Sequence, residues 1–145
     1  MISKLSVLLA SGLGLGFFSV APGTVGTILG VILTLIFPQN YYLLLAVIVL
    51  GTWVSHLAEK ALGQHDSPKI VIDEVAGYLI AAFHWNGLYL LAAFVLFRFF
   101  DIIKPTPIKQ LQSLPEGIGI MADDLLAGAL ANFTLIIGVY LIEMI

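Results

Sequence analysis

Phe97-Arg98-Phe99-Phe100-Asp101-Ile102-Ile103-Lys104-Pro105 is the stretch whose reading decides the fold. It closes an apolar run, residues 88–103, whose two charges are Arg98 and Asp101. On a helix, residues three apart share a face, so Arg98, Asp101 and Lys104 form one polar edge. Such groups near the end of an apolar helix are costly unless they face a polar cavity or a ligand. A salt bridge that lets the helix end at a membrane surface is the simpler alternative, and the rest of the chain must decide between them.

Around this stretch the chain is 60% hydrophobic and 10% charged, with a mean hydropathy of +1.07. Soluble domains carry roughly a quarter of their residues as charges, so this composition predicts an integral membrane protein. Its 145 residues suit one domain, 1–145. Cysteine is absent, which removes disulfides, thiol nucleophiles and thiolate metal sites. A net charge of −3 argues against a nucleic-acid partner. Residues 1–21 have neither a basic start nor a small-residue cleavage pattern, so no removable signal peptide is expected.

Five apolar segments follow an amphiphilic start: 24–37, 41–54 (running on to 62), 68–83, 88–103 and 124–145. The expected fold is all-α, a compact bundle of about five short transmembrane helices plus an N-terminal amphiphilic segment. Ser67 before Pro68 reads as an N-cap with a first-turn proline, and Thr24 as another cap. Lys4, Lys60, Lys69, Arg98, Lys104 and Lys109 all fall at alternate helix ends, which the positive-inside rule assigns to the cytoplasm. All nine acids but Glu143 join them.

Two adjacent acidic pairs stand out on that side, Asp73-Glu74 and Asp123-Asp124, each near the start of an apolar segment. Helix dipoles favour anions there, so simple capping is one explanation. Four carboxylates at membrane depth still repel one another, and a hard divalent cation with oxygen ligands would relieve this. Asp73-x-x-Ala76-Gly77 and Asp124-x-x-Ala127-Gly128 repeat one pattern. Close packing of the two helices at Gly77 and Gly128 would bring Asp73 and Asp124 to one metal centre. The loop at residues 21–26 opens an anion-binding helix start, with helix packing as the alternative for Gly26 and Gly30. His56 and Glu59 share a helical face and suit an interfacial hydrogen-bonded pair. Arg98 and Lys104 provide a phosphoryl clamp, and Asp73, Glu74, Asp123 and Asp124 provide metal ligands, with one acid left as general base.

Four blocks carry a resemblance to a known family: residues 21–26, 72–77, 97–105 and 119–128. In order and in content, above all Arg98-Phe99-Phe100-Asp101-x-x-Lys104-Pro105 and Asp123-Asp124-x-x-Ala127-Gly128, the chain resembles the phosphatidylglycerophosphatase A family. Thr106, where many relatives have Trp, and the short loop 109–117 depart from the pattern and bear on substrate fit. The resemblance implies a Mg2+-dependent, multi-pass enzyme of the bacterial inner (cytoplasmic) membrane with its active site on the cytoplasmic side. It would hydrolyse phosphatidylglycerophosphate to phosphatidylglycerol and phosphate, with no obligatory protein partner. Carried over by motif, Asp73, Asp101 and Asp124 would be catalytic and Thr24, Arg98 and Lys104 would bind the substrate phosphate. Asp73, Glu74, Asp123 and Asp124 would hold the metal. Hydrolysis by water is favoured over a phosphoenzyme, because the Asp-x-Asp-x-Thr signature is missing. The competing class is a small ion-coupled membrane transporter, but its acids would gather near the midplane and its repeats are commonly inverted.

Overall fold

The computed structural model describes residues 2–18, 20–114 and 116–144, with backbone alone at Ile2 and Glu116. The end residues of the expected 1–145 domain, and with them the last residue of segment 124–145, lie outside the described residues. Among those described, every regular element is a helix: α1 (Ile2–Ala10), α2 (Leu15–Phe18), α3 (Pro22–Ile36), α4 (Tyr41–Leu62), α5 (Ile72–Ala81), α6 (Tyr89–Ile103), α7 (Ile108–Leu111) and α8 (Glu116–Glu143).

Helix α5 is the middle of the bundle, packed by α3, α4, α6 and α8. Glycines set its contacts. A Cβ on Gly77 would sit 2.7 Å from the Asp124 carbonyl oxygen, and one on Gly128 would run into the Gly77 carbonyl. One offset of 51 residues relates Asp73 to Asp124, Gly77 to Gly128 and Ala81 to Asn132. Helices α5 and α8 therefore run parallel in register. Asn132 completes the match by donating to the carbonyls of Ile80 (2.8 Å), Ala81 (3.2 Å) and Phe83 (2.9 Å). Those carbonyls lie at and just beyond the end of α5, where intrahelical partners run out; the Ile80 carbonyl also accepts the Phe83 N–H (3.2 Å).

Gly23, Gly26 and Gly30 seat α3 on α5 in the same direction, against Glu74, Val71 and Tyr78 in turn. The neighbours α6 and α4 run the other way. Phe97 of α6 lies on Gly77, and the Tyr78 hydroxyl donates to the Leu90 carbonyl (3.0 Å). Gly51 of α4 meets Met121 of α8, while Gly117 meets Thr52 and His56. The starts of α3 and α5, the end of α6 and the first third of α8 consequently meet at one end of the bundle.

Two helices, α4 and α8, are long and apolar enough to cross a membrane by length and composition. At roughly 1.5 Å per residue, α5 is about 15 Å long, half the ~30 Å thickness of a hydrocarbon core. Its burial explains how it can be so short: protein, not lipid, surrounds both its ends. The outer faces are apolar instead. Ile32 and Leu35 on α3, Leu45 and Val49 on α4, Leu91 and Val95 on α6, and Phe133 and Ile136 on α8 are all exposed. Water would penalise such a continuous apolar exterior, and hydrocarbon would not.

Three helix starts differ from expectation. Helix α5 begins at Ile72 with Val71 as its cap, not at Pro68. Val71 N–H donates to the Ala10 carbonyl (2.8 Å), so the end of α1 holds residues 67–71 as a turn. Helix α3 begins at Pro22, which leaves Thr24 inside the first turn instead of capping it; proline's fixed φ suits that opening position. Helix α8 begins at Glu116, so Asp123 and Asp124 lie two turns in and not at its start. Glu59 pairs with His65.

Gly128→Val should weaken the fold by about 1–3 kcal/mol, since the added branches meet backbone that cannot yield. Thermal unfolding of the purified chain in detergent micelles measures this, and an unchanged midpoint would contradict a tight glycine crossing.

Candidate active site

The charged end of the bundle is assembled from four helices. In the first turn of α5, Asp73 and Glu74 point inward, Asp73 being 7% exposed. The register with α8 brings Asp124, 3% exposed, against them. Ligand atoms of Asp73, Glu74 and Asp124 all lie within 4.8 Å of one another. Each acid keeps one buried oxygen without a hydrogen-bond partner: Asp73 Oδ1, Glu74 Oε2 and Asp124 Oδ2. Buried carboxylates are ordinarily hydrogen-bonded or paired with a cation. Three open oxygens on three converging acids are a donor set for a hard, oxygen-liganded cation, magnesium or calcium by preference.

Beside this trio runs a chain of ion pairs. Arg98 Nη1 donates to Asp101 Oδ2 (2.5 Å). Lys104 Nζ stands 3.8 Å from Asp101 Oδ1 and bonds Asp123 Oδ2. The other Asp123 oxygen accepts the Asp124 N–H (3.0 Å). Lys104 follows the last residue of α6 as its left-handed C-cap, with φ 46° and its N–H on the Phe100 carbonyl (2.8 Å). Burial opposes the Lys104 charge, but Asp123, Asp124 and Asp101 outweigh it and push the ammonium above the usual lysine range.

The start of α3 forms the third wall. A Cβ on Gly23 would lie 2.7 Å from Glu74 Oε1 and 2.9 Å from Arg98 Nη1. Glycine lets backbone stand directly against the carboxylate and the guanidinium, with Thr24 next to it in the same turn. Asp73, Glu74 and Asp124 are thus gathered in one group, while Arg98, Asp101, Lys104 and Asp123 form another, and Thr24 lies at the edge. The two members of the Asp123-Asp124 pair belong to different groups.

The sequence places Gly23 in the anion-binding loop and Asn132 at the close approach of α5 and α8, but shows neither the contact of Gly23 with Glu74 and Arg98 nor the carbonyls bound by Asn132. For Gly23 a signal was present, because Gly23, Gly26 and Gly30 recur at helical spacing on one face. For Asn132 the signal was its place one turn after Gly128, which marks the interface but not the carbonyls it reaches.

A family model for phosphatidylglycerophosphatase A matches residues 8–139. The chain belongs to the phosphatidylglycerophosphatase A family. A Haemophilus influenzae phosphatidylglycerophosphatase A is 41% identical over 136 residues, covering 86% of this chain and 82% of its own. The Escherichia coli phosphatidylglycerophosphatase A is 34% identical over 135 residues, covering 86% and 77%. A Bacteroides thetaiotaomicron protein provisionally named phosphatidylinositol-3-phosphatase is 35% identical over 147 residues, covering 87% and 88%. No solved structure matches the chain. The named relatives are lipid phosphatases, and with them the transporter alternative gives way.

Neutralising one acid of the trio should relieve repulsion between buried carboxylates. Asp73→Asn is expected to raise the unfolding temperature in chelator-containing buffer, by the equivalent of about 1 kcal/mol or more. A lowered midpoint under those conditions would show that the Asp73 charge is already compensated by the protein.

Proposed function

We propose that this chain hydrolyses the terminal phosphate monoester of phosphatidylglycerophosphate to phosphatidylglycerol and inorganic phosphate, with Mg2+ held by Asp73, Glu74 and Asp124. In a chain of this family, the observation that carries the reading is the trio of buried carboxylate oxygens without partners. A divalent ion bound there would neutralise phosphoryl charge and polarise the phosphorus–oxygen bonds.

The remaining work falls to side chains. Arg98 offers its planar fork to two phosphoryl oxygens, with Asp101 holding the guanidinium in plane until substrate arrives. Lys104 adds a second positive charge, whose point-like ammonium tolerates movement of the phosphoryl group during reaction. The N–H groups of Gly23 and Thr24 open α3 beside Arg98 and add neutral donors to the same anion site. Attack by water forms one phosphorus–oxygen bond and breaks the bond to the glycerol oxygen. The water's proton passes to a carboxylate of the site, and the departing glycerol oxygen takes one up.

The site lies on the cytoplasmic side of a bacterial inner membrane in this reading. Lys60, Lys69, Arg98 and Lys104 fall at the same helix ends as the carboxylates, as the positive-inside rule requires. Helices α3, α4, α5, α6 and α8 make five alternating passes, the shorter ones through locally thinned or protein-lined hydrocarbon. A lipid can then present its headgroup to the charged end while its acyl chains lie along the apolar exterior.

Phosphate release from phosphatidylglycerophosphate in detergent micelles, with Mg2+ and with excess EDTA, tests the reading. Turnover should require Mg2+ and exceed that on phosphatidylinositol 3-phosphate; the opposite preference would transfer the proposal to inositol lipids. Activity surviving in EDTA would sink the metal assignment. Arg98→Lys should lose about 10²-fold, because the fork is gone, and Asp124→Asn roughly 10²–10³-fold. Wild-type rates in either variant would contradict its role.

A further inference from the structure

We propose that Asp123 is a positioning residue: it holds the Lys104 ammonium in place for the substrate's phosphoryl group and does not bind the metal ion. The inference rests on the phosphatase reading above. Both Asp123 oxygens are already engaged, Oδ2 by Lys104 Nζ and Oδ1 by the Asp124 N–H. Its neighbour Asp124 keeps an unpartnered buried oxygen toward Asp73 and Glu74.

Helix geometry separates the two acids. Consecutive residues point about 100° apart around a helix, and α8 is flanked by α5 on one side and α6 on another. Asp124 accordingly meets α5 and its carboxylates, while Asp123 meets the end of α6 and its cation. One adjacent pair thereby serves two groups.

Lys104 has need of such a partner. Its backbone is fixed by the left-handed cap, but four side-chain torsions remain free to disperse the ammonium. Asp101, at 3.8 Å, is beyond hydrogen-bonding distance and is already committed to Arg98. Asp123 is 2% exposed, so its carboxylate is held by the surrounding protein and is not a screened surface charge. Of the two acids in ion-pair range of Nζ, Asp101 and Asp123, the latter is the one that can define where the ammonium stands.

The test uses the full-length chain in detergent micelles and two readouts. Binding of Mn2+ alone, followed by loss of the free-ion paramagnetic signal, should be weakened strongly by Asp124→Asn and left within about twofold of wild type by Asp123→Asn. In the phosphate-release assay, Asp123→Asn should raise KM about tenfold with a smaller change in kcat, the cost of one charge-assisted hydrogen bond. Lys104→Met should mask that effect, the double variant being no worse than Lys104→Met alone. Asp123→Glu keeps the charge and should recover part of the KM; it also serves if the asparagine variant does not fold. Mn2+ affinity lost equally in Asp123→Asn and Asp124→Asn, or effects of Asp123 and Lys104 that simply multiply, would overturn the inference. A wild-type protein that takes up no Mn2+ would instead refute the metal assignment to the trio, and the KM cycle would still decide the role of Asp123.

Discussion

The rest of the structure depends on the crossing of α5 and α8 at Gly77 and Gly128. Without side chains at these two positions the backbones touch, and the parallel register that results carries every neighbouring contact with it. One turn before the crossing, Asp124 arrives against Asp73 and Glu74. One turn after it, Asn132 reaches the carbonyls at the end of α5. A helix end inside a lipid-facing bundle has no water to satisfy it, so this amide replaces solvent. The same contact thus gathers the acids and permits a short central helix enclosed by its neighbours.

Around that contact the charges are sorted by what can satisfy them. Arg98, Asp101, Lys104 and Asp123 are connected by ion pairs within the protein. Asp73, Glu74 and Asp124 are left with open oxygens, a high-energy arrangement in a low-dielectric interior. Evolutionary tolerance of such a cost is usual at sites that bind and react, where the missing partner comes with the ligand. An ion-paired group that presents Arg98 and Lys104, lying beside an unsatisfied anionic group that would take a cation, suits a phosphate ester, which needs positive charge on its oxygens from two directions.

The apolar exterior and the charged end divide the molecule by solvent. Exposed leucine, isoleucine and valine cover the outward faces of α3, α4, α6 and α8, whereas the polar groups converge at one end. A lipid substrate has the same division, with a phosphate at one end of long hydrocarbon chains. The geometry of the bundle therefore matches that of its proposed substrate without a deep pocket.

By itself the sequence determined the class and the cast. Hydropathy showed a helical membrane protein, the cations marked one set of helix ends, and spacing placed Arg98, Asp101 and Lys104 on a common edge. The repeated Asp-x-x-Ala-Gly pattern pointed to the α5–α8 contact, because small residues at helical spacing signal backbone approach. What the tertiary structure alone decided was who faces whom. It separated Asp123 from Asp124, gave Glu59 to His65, moved the starts of α5 and α8, and left α5 as a short interior helix. The physical reason is that periodicity reports which face of a helix is polar, while the neighbour covering that face is chosen by packing between segments far apart in the chain.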